Sequence, residues 1–136
     1  MEKPIVRDIF FLGRKSVAAT ASDRQIIEDL QDTLRANQDR CVGMAANMIG
    51  YLKRMIIVNI GFANVVMINP RIVERHEPYE AEEGCLSLTG TRRTTRYRQI
   101  TVVWQDTQFA EHRNEYSGYV AQIIQHECDH LEGIII

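Results

Sequence analysis

Cysteine is scarce. Cys41, Cys85 and Cys128 are the only three, and no Cys-x-x-Cys pair occurs. A small, odd number without framework spacing argues against a disulfide scaffold and against a dithiol redox motif, and for a reducing compartment. No apolar run approaches the length of a membrane span. The opening MEKPIVRDIFFLGRKS has charges on both sides of a short apolar run and lacks the apolar core and cleavage site of a signal peptide. A cytoplasmic protein without a membrane partner is therefore expected. Charge of one sign is also missing: the net value is −2, which argues against a nucleic-acid partner. The local excess at Arg92, Arg93, Arg96 and Arg98 reads mostly as a solvated hairpin rim. Repeats and low-complexity linkers are absent too.

What is present fits one domain over residues 1–136, with 45% hydrophobic residues available for a core that needs no staples. In SDRQIIEDLQDTLRANQ, Ile26, Ile27, Leu30 and Leu34 recur at helical spacing. Ser22 with Gln25 three residues on predicts a capping box at its start. From Met55 the pattern changes. KRMIIVNI, NVVMINP (ended by Pro70), RIVERHE and RQITVVWQD read as four short strands, mostly antiparallel. YSGYVAQIIQHECDHLEG returns to helical period with Gly133 as its stop, and Ile134, Ile135 and Ile136 read as a closing strand. The order of helix, strands and helix predicts an α+β domain.

The last helix carries the chemistry. At about 100° per residue, Val120, Ile123, Ile124, Glu127 and Leu131 fall on one stripe. His126 and His130 lie beside it, about 6 Å apart along the axis, so their rings can converge on one ion. Asp129 falls nearly opposite and is expected to meet water. A carboxylate aimed into apolar surroundings is costly unless it is protonated or paired with a cation. Burial raises its proton affinity and a nearby dication lowers it, and a group balanced between the two can act as general base and then general acid. His-Glu-x-x-His on a helix is a known metal-hydrolase signature. Such a site needs a third protein ligand. Cys85, Cys41, His76, His112 and Glu132 are the candidates. Cys85, in the glycine-containing EEGCLSLTG between strands, leads Cys41 only modestly. Glu132 points away from the histidine pair, His112 sits in a polar turn, and Cys128 reads as a small core residue.

EGCLS (Glu83 to Ser87) followed by QHECDH (Gln125 to His130) resembles the peptide deformylase family, and the likeness runs over nearly the whole chain. The resemblance implies antiparallel sheets around a central metal-binding helix. It implies Cys85, His126 and His130 as ligands of one divalent metal, Fe2+ foremost, with Zn2+, Ni2+ or Co2+ able to substitute. It further implies removal of the formyl group from N-formyl-methionyl peptides, with Glu127 as general acid/base and the Leu86 N–H as oxyanion donor. Gly43, Met44, Ala45, Met48, Glu83, Gly84 and Arg92 match substrate-binding positions. A transient ribosome contact is a further implied partner, although the chain ends six residues after His130, where many bacterial members continue into a docking helix.

The first motif departs from the family pattern. CVGMAANM places Cys41 at the first glycine and Met48 where the family has an oxyanion-donating glutamine. Methionine has no hydrogen to donate. Loss of one such donor lowers turnover on the order of 100- to 1000-fold. Two other readings follow: a hydrolase with weak or altered N-acyl specificity, and a metal- or peptide-binding module without catalysis. The retained Glu127 argues against the second, because metal binding alone does not require it.

Overall fold

The apolar runs after Met55 form the centre of one five-stranded antiparallel sheet in the computed structural model, which describes residues 1–136. The strands are β1 (Gly43–Ala45), β2 (Met55–Asn59), β3 (Asn64–Gly84), β4 (Thr91–Gln105) and β5 (Glu111–Ser117), paired in chain order. The helices are α1 (Ile9–Leu12), α2 (Arg24–Ala36) and α3 (Gly118–Leu131). The α+β class is as expected, with one continuous sheet in place of several. No helix is long and apolar enough to cross a membrane.

Helix α2 buries Ile26, Ile27, Leu30 and Leu34. Its entry differs from the predicted box. A 3-10 turn at Ala21–Asp23 precedes it, and the Thr20 N–H donates to the Asp23 carboxylate at 2.8 Å. Gln25 instead donates to Asp29 one helical turn on, at 3.1 Å.

NVVMINP and RIVERHE are parts of one 21-residue strand, β3. Proline lacks an N–H and is tolerated in a sheet at bulges. Here the register slips between Ile68 and Arg71 and again between Ile72 and Glu74. Asn69 holds the kink at a φ of 50°, its amide accepting from the Ala19 N–H at 2.8 Å and donating to the Ala19 carbonyl at 3.0 Å. Strand β4 begins earlier than RQITVVWQD because its first half is a polar partner of β3. Thr95, for example, donates to Glu80 across the pair at 2.8 Å. Cross-strand polar pairs stabilise such a segment without apolar alternation.

His112 is in edge strand β5 and not in a turn. Its ring stacks on Trp104 at 4.7 Å between centroids, and its Nε2 meets Asp106 at 2.7 Å. The final isoleucines form no strand, and Ile136 is the buried one. The main core joins α2, α3 and the inner residues of β1, β2, β3 and β4.

Candidate metal centre and active site

Helix α3 is buried on most of its circumference, which an amphipathic surface helix is not. Ala121, Ile123, Ile124, Cys128 and Leu131 are buried, and so are Gln125, His126, Glu127 and His130. Two amides fix it in place. Gln125 accepts from the Tyr97 N–H and donates to the Tyr97 carbonyl, both at 2.9 Å, so α3 is tied to β4. Asn47 donates to the His130 carbonyl at 3.0 Å and ties the end of α3 to the first motif.

His126 and His130 converge, with their Nε2 atoms 3.2 Å apart. The turn after β3 brings Cys85 Sγ to 3.4 Å from His130 Nε2, and the three donor atoms lie within 4.8 Å of one another. A tetrahedral ion with nitrogens at about 2.1 Å and sulfur at about 2.3 Å separates its ligand atoms by roughly 3.4 to 3.6 Å. The spacing therefore fits a single divalent metal. The other candidates are elsewhere: His76 is exposed on β3, His112 is on β5, and Glu132 pairs with Arg54 at 2.8 Å. Cys41 donates its thiol to the Gly43 carbonyl at 2.9 Å, and burial pushes that thiol up to about 11.

Glu83 holds the first histidine. Its Oε1 lies 2.8 Å from His126 Nδ1, which leaves Nε2 facing the cluster. Arg96 clamps the same carboxylate through Nη2 at 2.7 Å and Nε at 2.9 Å, and Gln122 donates to it at 2.9 Å. Burial raises the proton affinity of Glu83, but the hydrogen bonds from His126, Arg96 and Gln122 outweigh it and hold the carboxyl near about 2. Arg96 is thus not a solvated rim residue. It is 3% exposed, and its Nη1 donates to Asp129 at 2.7 Å. Asp129 accordingly meets an arginine where water was expected.

Burial disfavours the charged form of both histidines, but it decides only one of them. It lowers His130 to about 3, helped by the charge on His126. His126 is desolvated too, but Cys85 and Glu83 favour its charged form and carry it up to about 10.

Glu127 is 5% exposed, and its Oε1 is buried without a partner. Burial raises it to about 7, and the charge of His126 limits the rise. A carboxyl poised there can both take and return a proton near neutral pH. It lines a cleft of about 470 Å³ together with Gly43, Met48, Glu83, Gly84, Cys85, Leu86 and His126.

The cleft gathers some expected substrate residues and omits others. Met44 and Ala45 are fully buried in the core, because β1 is covered on both faces. Arg92 is outside the lining and donates to the Thr89 carbonyl at 3.3 Å, with Nη1 buried and unpartnered. Both oxygens of Glu83 are committed to side chains. Met48 is buried with its Sδ 3.4 Å from the Ala45 N–H, so the thioether accepts a bond within its own turn. In the turn after β3 the Leu88 N–H bonds the Cys85 carbonyl at 3.1 Å, and the Leu86 N–H has no backbone partner. Arg96, Gln122, Gln125 and Asn47 had drawn no role from sequence. Arg96 is one of four nearby arginines, and nothing in the pattern singles it out as the one facing α3.

A family model described as polypeptide deformylase matches residues 11–136. The chain belongs to the polypeptide deformylase family. It is 55% identical over 136 residues to a peptide deformylase of Clostridium beijerinckii, covering 100% of both chains. It is 37% identical over 113 residues to peptide deformylase 1 of Clostridium perfringens, covering 81% of this chain and 76% of the relative. Among solved structures, the peptide deformylase of Thermotoga maritima superposes with a TM-score of 0.89 at 31% identity, over 99% of this chain and 95% of that one. The expectation of a peptide deformylase, a metal-dependent amide hydrolase, holds in family, fold and enzyme class.

Proposed function

We propose that this deformylase removes the formyl group from N-formyl-methionyl nascent peptides, with Cys85, His126 and His130 as metal ligands and Glu127 as general acid/base. The observation that carries the reading is the convergence of three donor atoms beside a buried, unpaired carboxyl on one cleft. Fe2+ is the proposed native metal, with Zn2+, Ni2+ or Co2+ substituting. A thiolate and two imidazoles do not select among these by affinity alone. When bound, the ion supplies Lewis acidity toward the formyl carbonyl and toward water.

The residues of the chain do the rest. Glu127 accepts a proton from the attacking water and returns one to the leaving amine. The Leu86 N–H donates to the oxygen on which charge develops. Gly43 and Gly84 let substrate backbone approach, and Arg92 swings to a substrate carbonyl. Glu83 orients His126, and Arg96 orients Glu83. The proposed protein is one catalytic domain, acts in the cytoplasm and meets the ribosome only transiently.

A second reading rests on Met48. With its sulfur turned to Ala45 and no hydrogen to offer, it favours weaker deformylation or another N-acyl substrate. Anaerobic assays of the Fe(II) enzyme on formyl-Met and acetyl-Met peptides separate the two. Preference for the formyl peptide, together with loss of turnover but retention of metal in Glu127→Ala, supports the first. Preference for the acetyl peptide supports the second.

A further inference from the structure

Helix α3 has a second cavity behind it. Tyr119, Gln122, Ile123, His126 and Glu127 face the deformylase cleft, whereas Gln125, Cys128, Asp129 and Glu132 face a separate space of about 480 Å³. The size is that of a small-ligand site. Its other walls bring together Arg54, Arg71 and Arg75, with Thr94 and the apolar residues Ile72 and Ile134.

The charge balance of this space opposes that of the whole chain. Four arginines line it (Arg54, Arg71, Arg75, Arg96) against two carboxylates (Asp129, Glu132), a surplus of two positive charges in a protein of net charge −2. The ion pairs near it are Arg54 with Glu132, Arg96 with Glu83 and Asp129, and Arg113 with Glu74. None takes Arg71 or Arg75, and neither makes a side-chain hydrogen bond. Arg54 is held ready by Glu132 at 2.8 Å and by the Pro70 carbonyl at 3.2 Å. Arg71 and Arg75 lie on β3 on either side of a register slip, and both are exposed and line this space.

We propose that the cavity behind α3 binds a small phosphate ester, gripped by the unpaired guanidinium groups of Arg71 and Arg75 with Arg54 beside them. Guanidinium forks match the oxygens of phosphate in pairs, which suits them to this anion better than lysine. Thr94 adds a hydroxyl donor, and Ile72 and Ile134 give the ester's carbon skeleton an apolar wall.

The test is NMR titration of the zinc-loaded protein with glycerol phosphate at constant ionic strength. Saturable shifts are expected at the amides of Arg71, Arg75 and Thr94. The double variant Arg71→Gln/Arg75→Gln should weaken them by roughly tenfold or more while deformylation is unchanged. Shifts confined to Cys85, Leu86 and Glu127 would mean that the anion sits at the metal centre, and would overturn the proposal. So would equal affinity in the double variant, or the same response to sodium chloride. A single-stranded RNA of about 12 nucleotides is the second arm. Binding through the same two arginines, roughly tenfold tighter and with the steep salt dependence of a polyanion, assigns the phosphate to a nucleic-acid backbone and overturns the small-ligand site.

Discussion

Gly43 and Glu127 are in contact with no space for a side chain between them. A Cβ built on Gly43 would stand 3.0 Å from Glu127 Oε2 and 2.6 Å from Ile123 Cγ2. The glycine of the first motif therefore sets where the carboxyl of the last helix rests. Gly43→Ala should displace Glu127 and lower kcat on a formyl-Met peptide by on the order of 100-fold. Metal content should be unchanged, because the atoms nearest the new methyl belong to Ile123 and Glu127 and to neither histidine. Steady-state kinetics with metal analysis checks this, and full turnover would show that the carboxyl's position is unimportant.

Arg96 is the second lever. Replacing it by methionine leaves Glu83 and Asp129 without their cation, one buried and one partly so. Breaking a buried pair in this way costs about 3–5 kcal/mol of stability. Metal affinity should also fall by roughly 10- to 100-fold, because Glu83 would no longer be fixed against His126. Denaturant unfolding and competitive chelation read the two effects separately. Unchanged metal affinity would limit Arg96 to a structural role.

Met48→Gln offers the cleft a donor that the thioether lacks. Turnover on formyl-Met peptides should rise, by up to the 100- to 1000-fold that one oxyanion donor is worth. A fall, or no change, would mean that the developing charge is met elsewhere.

The pH profile follows from Glu127. As the proposed general base it works ionised, so the rate is lost as pH falls through its pKa. Burial raises that pKa to about 7, and a dication nearby lowers it. The acid limb of kcat/KM for the metal-loaded enzyme is therefore expected at or below pH 7. A limb well above that value would contradict the assignment.

Much of the site could be read along the chain, because a helix turns fixed spacing into fixed direction. The four-position spacing of His126 and His130 put two imidazoles together, and the stripe put Glu127 inward. The strands were less legible. Pro70 looked like an end and is a bulge, since Asn69 borrows Ala19 to hold the kink. The first half of β4 carries threonine and arginine where an alternating apolar pattern was sought, and its partners are the glutamates of β3.

The sequence by itself determined the helix that carries His126, Glu127 and His130, the family and the absence of a donor at Met48, all of which depend on residue type and local spacing. Only the tertiary structure decided which cysteine joins the histidines by geometry, which of four arginines is buried, and that Asp129 pairs with it. Those contacts join residues far apart in the chain. Cys85 lies 45 positions from His130, and Arg96 lies 33 from Asp129. No local periodicity encodes such distances; the kink in β3 and the amide clamps on α3 set them.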